Sequence, residues 1–492
     1  MADIKVTPNG VTVSQNLRNL VHRLVWTSIT VGYYFYFTGT TNSTGDIYYV
    51  KTTDSGTTWG SAVQVNSDAS SIIVRGLSTW YDQWTPGNSG DIIHIGWSDC
   101  TEGGINAKAY FRYRRLNTSG DSLGTQRTVD TRDNGSRLRG YVGVPCVARS
   151  DAIYYLSYSG FGTDFGSWKR STDAGANWTT LSLTNVTLQW ASSEVRIVPG
   201  NDDDADDMYL VKWSPGGLFL YWYDYSGDVW TATVMDADVG SNSINLDSCT
   251  RVSDKHSFVV YNLDDSHLTL ECIEITGNTT STQRTNILTD TVAHTSIGIG
   301  IDPRNDLVVV YGGLEGGGSG IGAKKSQDDG VSWTSETQVD EDAADVDDAQ
   351  IATRSFQAVG TIFLVWTTDS STIVYGNTVT FVLVSPSDKV ARVTGLVHHW
   401  AAGPNPVYQL EIMTGGLFSQ YFSPISATNE PEPTIPVERK APVWRPTLLD
   451  YGKWLADHTH AEQVAIFGEE AVSFADWSRW AIGLRAMGRG ML

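Results

Sequence analysis

Thr52-Thr53-Asp54-Ser55-Gly56-Thr57-Thr58-Trp59, Ser171-Thr172-Asp173-Ala174-Gly175-Ala176-Asn177-Trp178 and Ser326-Gln327-Asp328-Asp329-Gly330-Val331-Ser332-Trp333 are three copies of one octapeptide, Ser/Thr-x-Asp-x-Gly-x-x-Trp. Each follows one apolar or alternating run and precedes another, so each reads as a turn between strands. The pattern has a local physical reason. An Asp carboxylate accepts hydrogen bonds from the backbone N–H groups of its own turn. Gly takes the positive φ that the turn needs, and Trp covers the turn and packs between neighbouring sheets. Asp54, Gly56, Trp59, Asp173, Gly175, Trp178, Asp328, Gly330 and Trp333 are therefore expected to be structural.

Worn copies lie between these three. Aligning on the turn glycine gives Gly56, Gly120, Gly175, Gly227, Gly277 and Gly330, in steps of 64, 55, 52, 50 and 53 residues. Such a period holds four short strands and their turns. The octapeptide closely resembles the Asp box of sialidases and related propellers. With the repeat it implies an all-β fold, a β-propeller with Asp-box turns. In the first unit the expected strands are Leu20–Thr27, Tyr33–Phe37 and Ile47–Thr52. After the sixth, Gln350–Arg354, Ile362–Trp366 and Thr372–Val379 look like three more strands without a box. They make a seventh blade that lacks its outer strand, and Gly10-Val11-Thr12-Val13-Ser14 is the expected source of that strand. Closing the ring in this way removes the free sheet edges. Seven blades are favoured; six blades with an appended sheet are the alternative.

Composition agrees with short strands and tight turns. The 492 residues include 48 Gly and 18 Trp, and only 18% are charged. The formal net charge of −21 argues against a nucleic-acid partner, which needs a basic footprint. No uncharged apolar stretch is long enough to span a membrane. Met1-Ala2-Asp3-Ile4-Lys5 carries no apolar signal region, which fits synthesis in a cytoplasm. Cys100, Cys146, Cys249 and Cys272 are far apart and read as buried small hydrophobes.

Residues 1–385 are thus assigned to the propeller, and the character changes beyond them. Residues 386–428 hold a β-hairpin extension, Val390–Trp400 against Val407–Thr414. Residues 429–446 form a Pro-rich linker. Residues 447–492 read as a small C-terminal helical segment, with Phe474, Trp477, Trp480 and Leu484 at helical spacing. Beyond a Pro-rich tether, a short helix of this kind needs a surface to dock on: the propeller itself or a partner subunit.

Aligning the innermost strands places an Arg near the start of four consecutive blades, Arg23, Arg75, Arg139 and Arg196, with Arg354 as a weaker fifth. Converging guanidinium groups bind a carboxylate, sulfate or phosphate bidentately. The competing reading makes them surface or ion-paired side chains. The sialidase resemblance bears on this, since that family grips the sialic acid carboxylate with three Arg, the first in a Phe/Tyr-Arg-Ile-Pro motif. The matching stretch here is His22-Arg23-Leu24-Val25, which keeps the Arg but neither the aromatic nor the Pro. The family also uses an acid/base Asp and a Tyr nucleophile assisted by Glu. No motif places these, so the catalytic residues are left unassigned. Trp80, Tyr81 and Trp84 read as exposed sugar platforms or as wedges between blades. The acidic runs 202–207 and 340–348 read as solvated loops. No cofactor is expected, with calcium on such oxygen-rich loops the one alternative.

The tail, residues 386–492, looks like an accessory piece of a bacteriophage virion protein. The leading expectation is a virion structural protein of the tail or capsid surface, whose propeller displays a glycan-binding or assembly face. Its partners would be other virion proteins, reached through the C-terminal segment, and host-surface glycans, with an oligomer in the particle. The alternative is an enzyme, a sialidase-like glycoside hydrolase acting on acidic glycans.

Overall fold

The computed structural model describes residues 4–7, 20–38, 45–67, 72–101, 108–133, 141–159, 166–186, 195–201, 204–214, 217–239, 245–263, 268–291, 293–294, 296–340, 346–357, 361–368, 374–381, 392–393 and 412–413. They form a seven-bladed β-propeller. Blade 1 is Leu24–Trp26, Gly32–Phe37, Ile47–Thr52 and Val63–Gln64. Blade 2 is Ile72–Tyr81, Ile92–Thr101 and Lys108–Asn117, with Ser122–Leu123 and Arg127–Asp133 both pairing outside the third strand. Blade 3 is Tyr141–Val147, Ile153–Ser159, Gly166–Ser171 and Thr179–Leu181; blade 4 is Val195–Pro199, Met208–Ser214, Gly217–Asp224 and Val229–Asp236. Blade 5 is Leu246–Thr250, Ser257–Asn262 and Thr269–Ile275, edged by Ser281–Gln283 and Leu288–Thr289. Blade 6 is Ile297–Ile301, Leu307–Leu314, Gly318–Ser326 and Thr337–Asp340. Blade 7 is Val346–Ile351, Thr361–Thr368 and Tyr375–Thr380, completed by Ile4–Lys5.

The closing strand therefore comes from the N-terminus, as expected, but from Ile4–Lys5 and not from residues 10–14, which lie outside the described residues. Ile4-Lys5-Val6-Thr7 also alternates, and packing favours it. Val6 is buried beside Leu24, Tyr34 and Phe363. Gly376, opposite Ile4, leaves room for this, because a Cβ there would sit 2.9 Å from Val6 Cγ2.

Burial grades outward along each blade. The innermost strands of blades 4, 5 and 6 are buried at every position, while Thr179–Leu181 and Val63–Gln64 on the rim are exposed or half-buried. Aromatic side chains fill the seams. Trp168 of blade 3 stacks on Tyr154 at 5.0 Å and meets Trp230 of blade 4 edge-on at 5.3 Å. Each such pair adds roughly 0.5–1.5 kcal/mol beyond its burial. Cys146, Cys249 and Cys272 are free and buried.

The three Asp boxes share one geometry. Thr52 Oγ1 donates to Asp54 Oδ1 at 2.8 Å and accepts from Gly56 N at 3.0 Å; Thr58 N donates to Asp54 Oδ1 at 2.9 Å. Ser171, Asp173, Gly175 and Asn177 repeat these bonds, as do Ser326, Asp328, Gly330 and Ser332. Gly56 is required twice over. Its φ is +88°, and a Cβ would lie 2.5 Å from the Phe363 ring of the neighbouring blade. The half-buried Trp59 and Trp178 pack on rings of the adjoining seams, Trp59 on Trp26 and Phe363, Trp178 on Tyr113 and Tyr155. In two worn copies the positive φ falls one residue after the aligned glycine, at Asp121 and Asp228. There the Asp reaches across a seam: Asp121 accepts from Tyr33 Oη and Lys51 Nζ of blade 1, at 2.7 and 2.6 Å.

Among the described residues the one helical turn is the 3-10 turn Asp82–Trp84, and no helix is long and apolar enough to cross a membrane. In the extension, Arg392–Val393 pairs antiparallel with Ile412–Met413, within the two segments expected to form the hairpin. The chain divides into two units, Met1–Gly416 and Leu417–Leu492. The expected linker and helical segment, with Phe474, Trp477, Trp480 and Leu484, lie outside the described residues.

Candidate functional site: the ring axis

The expected strand Leu20–Thr27 is broken at His22, a non-glycine residue with φ +49°. Below the break, Leu24–Trp26 is the innermost strand of blade 1. Above it, Leu20–Val21 leaves that blade and pairs parallel with Leu77 and Ser78. Ile72–Tyr81 is already the innermost strand of blade 2, so the backbone of residues 20–21 lies on its axial side. The axis is thus occupied by the chain itself.

Polar side chains from several blades converge there. His22 Nδ1 lies 2.9 Å from Thr353 Oγ1 and 3.8 Å from Asp247 Oδ1, and the His22 carbonyl accepts from Thr79 Oγ1. Trp80 and Trp84 meet the imidazole edge-on. Asp247 on blade 5 takes Arg196 Nε of blade 4 at 3.1 Å and Ile299 N of blade 6 at 3.0 Å. Arg23 N donates to Gln350 Oε1 of blade 7 at 3.3 Å, and Ser78 Oγ donates to the Gly143 carbonyl of blade 3 at 2.7 Å. These bonds tie blade 4 to 5, 5 to 6, 7 to 1, 1 to 2 and 2 to 3 at the centre, where burial strengthens them.

Burial pushes the His22 imidazole down to about 4; the Asp247 carboxylate opposes this and Arg196 reinforces it. Unfolded His binds a proton below about 6.5, while the folded residue resists until about 4. Its stabilising effect is therefore complete above about 6.5 and lost as the pH falls through that window, by roughly 3 kcal/mol in total. Melting curves between pH 7 and pH 4 should show this loss. His22→Asn, which tolerates positive φ, should flatten that part of the profile; an unchanged slope would assign the acid sensitivity elsewhere.

The structure places the expected Arg cluster as follows. Arg23 is buried, its guanidinium 5.4 Å from the Tyr34 ring centroid. Arg196 is buried and engaged with Asp247. Arg75 falls at the register shift between Val74 and Gly76, and its side chain is outside the described residues, as is all of Arg139. Arg354 lies over Phe356 and donates to the Gln83 carbonyl at 2.9 Å. Trp80, Tyr81 and Trp84 are all buried, so they are wedges and not exposed platforms. In the first acidic run, Asp206 takes Arg170 and Tyr154, and Asp207 takes Trp222 Nε1 and Tyr225 N.

The box carboxylates are also spoken for. Bonds from the Thr58 side chain and backbone hold Asp54 below the usual range, and the Asn177 backbone and side chain hold Asp173 at about 2. Third strands run in the direction of innermost strands, so the boxes sit at the end of the ring where the innermost strands finish.

One group had no sequence motif. Tyr261 Oη lies 2.7 Å from Asp236 Oδ2 and 2.8 Å from Glu271 Oε2, on the seam between blades 4 and 5. The available signal was Glu271 within the apolar run Leu268–Ile275, a carboxylate on a strand buried throughout.

No protein-family model matches the chain, and no curated protein matches it. Among solved structures, it is similar to the NanB sialidase from Streptococcus pneumoniae at 11% identity and a TM-score of 0.44, over 76% of this chain and 70% of that one. It is similar to an ulvan lyase from a new family of polysaccharide lyases at 10% identity and a TM-score of 0.46, over 76% and 95%. The intramolecular trans-sialidase from Ruminococcus gnavus matches at 14% identity and a TM-score of 0.42, over 77% and 98%.

Proposed function

We propose that this chain is a non-catalytic structural propeller of a bacteriophage particle, on the tail or capsid surface. Its ring displays a glycan-binding or assembly face, and its C-terminal segment docks onto other virion proteins. The observation that carries the non-catalytic part is the filled axis. A carboxylate-gripping site needs guanidinium groups presented to solvent. Here Arg196 is engaged with Asp247, Arg23 is buried against Tyr34, and residues 20–22 occupy the space between the blades. The particle part rests on the sequence of the tail: a Pro-rich tether followed by an apolar Trp-bearing stripe that needs a docking surface.

The alternative is a sialidase-like hydrolase of acidic glycans, and the Tyr261–Glu271 contact is what favours it. It ranks second because burial holds the Tyr261 phenol strongly in its neutral form, and burial likewise raises Glu271, which disfavours the ionised base a Tyr nucleophile needs. The test of the leading reading is a chain ending at residue 385. It should melt cooperatively as a folded ring and be missing from assembled particles. Incorporation at the normal level would sink the docking role.

A further inference from the structure

Tyr261, Glu271 and Gln283 of blade 5 and Asp236 of blade 4 crowd around one hydroxyl. Besides the two carboxylate contacts at 2.7 and 2.8 Å, Gln283 Nε2 donates to Tyr261 Oη at 3.1 Å and also to Glu271 Oε2. A phenol has one hydrogen to give. Given to Asp236, it leaves the contact with Glu271 as two oxygens at hydrogen-bond distance with no hydrogen between them. Two ionised carboxylates sharing such a site would also repel each other. The contacts close when one more proton sits on Glu271: the carboxylic acid donates to Tyr261, and Tyr261 donates to Asp236. Gln283 completes the set.

The geometry points to a proton-loaded latch across the seam between blades 4 and 5, in which neutral Glu271 donates to Tyr261 and Tyr261 donates to Asp236, one chain that weakens when Glu271 releases its proton to solvent. The groups that face Glu271 are Tyr261 on the second strand, Gln283 on the outer strand, and Asp236 and Asp238 from blade 4. Burial raises the Glu271 carboxyl above its ordinary range; Asp236 and Asp238 add to this, and the bonds from Tyr261 and Gln283 oppose it. For a carboxyl raised by folding, the stabilising effect is complete below the unfolded value near 4.3 and is lost as the pH rises through the folded value. The latch therefore tightens in mild acid and loosens toward alkaline pH, opposite in sign to His22.

Melting curves of the full chain and of Glu271→Gln from pH 4.5 to pH 9 test this. The Gln amide keeps a donor for Tyr261 Oη but cannot ionise. The two proteins should melt together near pH 4.5, and the variant should melt higher by roughly 2 °C or more at pH 8. A constant offset at every pH would overturn the latch. Infrared spectra of the wild-type chain with labelled Glu carboxyls give a second readout, needed if the variant does not fold. A protonated carboxylic acid band should persist at pH 6, where ordinary Glu is ionised; its absence would overturn the proposal.

Discussion

A chain lacking residues 1–7 is expected to lose about 4–6 kcal/mol of stability and to self-associate. Those residues provide the outer strand of blade 7: Ile4 and Lys5 pair with Gly376 and Tyr375, Val6 N donates to the Val374 carbonyl at 2.9 Å, and Val374 N donates to Thr7 Oγ1 at 3.0 Å. Each such bond is worth about 1 kcal/mol net, and burial of Val6 about 1.5–3 kcal/mol. The sum is a large part of the roughly 5–15 kcal/mol that holds a domain together. The second consequence is an open edge on Tyr375–Thr380, a template for pairing with another chain. Denaturant titration and size-exclusion chromatography read the two effects. A monomeric chain with an unshifted midpoint would mean that Ile4–Lys5 does not close the ring.

Asp247→Leu, a single substitution, should cost about 3–5 kcal/mol, the usual result of removing one partner of a buried ion pair. The carboxylate serves three blades at once. It neutralises Arg196, accepts from Ile299 N, and lies beside His22. Its loss leaves a desolvated guanidinium without this counter-charge and a buried amide without its acceptor. The double variant with Arg196→Met separates the two terms. Replacing both ions with apolar side chains is often near neutral, so the double variant should recover most of the loss, the remainder being the Ile299 amide. If Asp247→Leu alone shifted the denaturation midpoint by less than the equivalent of about 1 kcal/mol, the axis network would not be a structural centre.

The repeat was legible because its signal is local. Asp54, Asp173 and Asp328 each satisfy their turn within four residues, so the bonds can be read from one octapeptide at a time. The number of blades followed from counting, and the N-terminal origin of the last strand from the need to cover an edge. Its exact identity did not follow, because residues 4–7 and 10–14 both alternate in sequence, and the choice rests on tertiary contacts, the pairing of Ile4–Lys5 and the fit of Val6 beneath Gly376. The axis was legible only in part. Arg196 lies on an innermost strand and Arg23 directly before one, but their partners Tyr34, Gln350 and Asp247 are 11, 327 and 51 residues away. Such separations carry no motif. The break at His22 was hidden for a different reason: a non-glycine residue at positive φ leaves no mark in an otherwise apolar run. Tyr261, Glu271 and Asp236 meet across strands of two blades, where again no spacing rule applies.

The filled axis separates a display propeller from a hydrolase, and turnover separates them most directly. The purified chain should be incubated with a mixed panel of sialylated, sulfated and neutral oligosaccharides, and the panel weighed by mass spectrometry. An unchanged panel is the expected result, since the axial Arg196 is paired and the Tyr261 phenol stays neutral. Release of a terminal acidic sugar, lost on Tyr261→Phe in a variant that still melts cooperatively, would contradict it and make this propeller an enzyme.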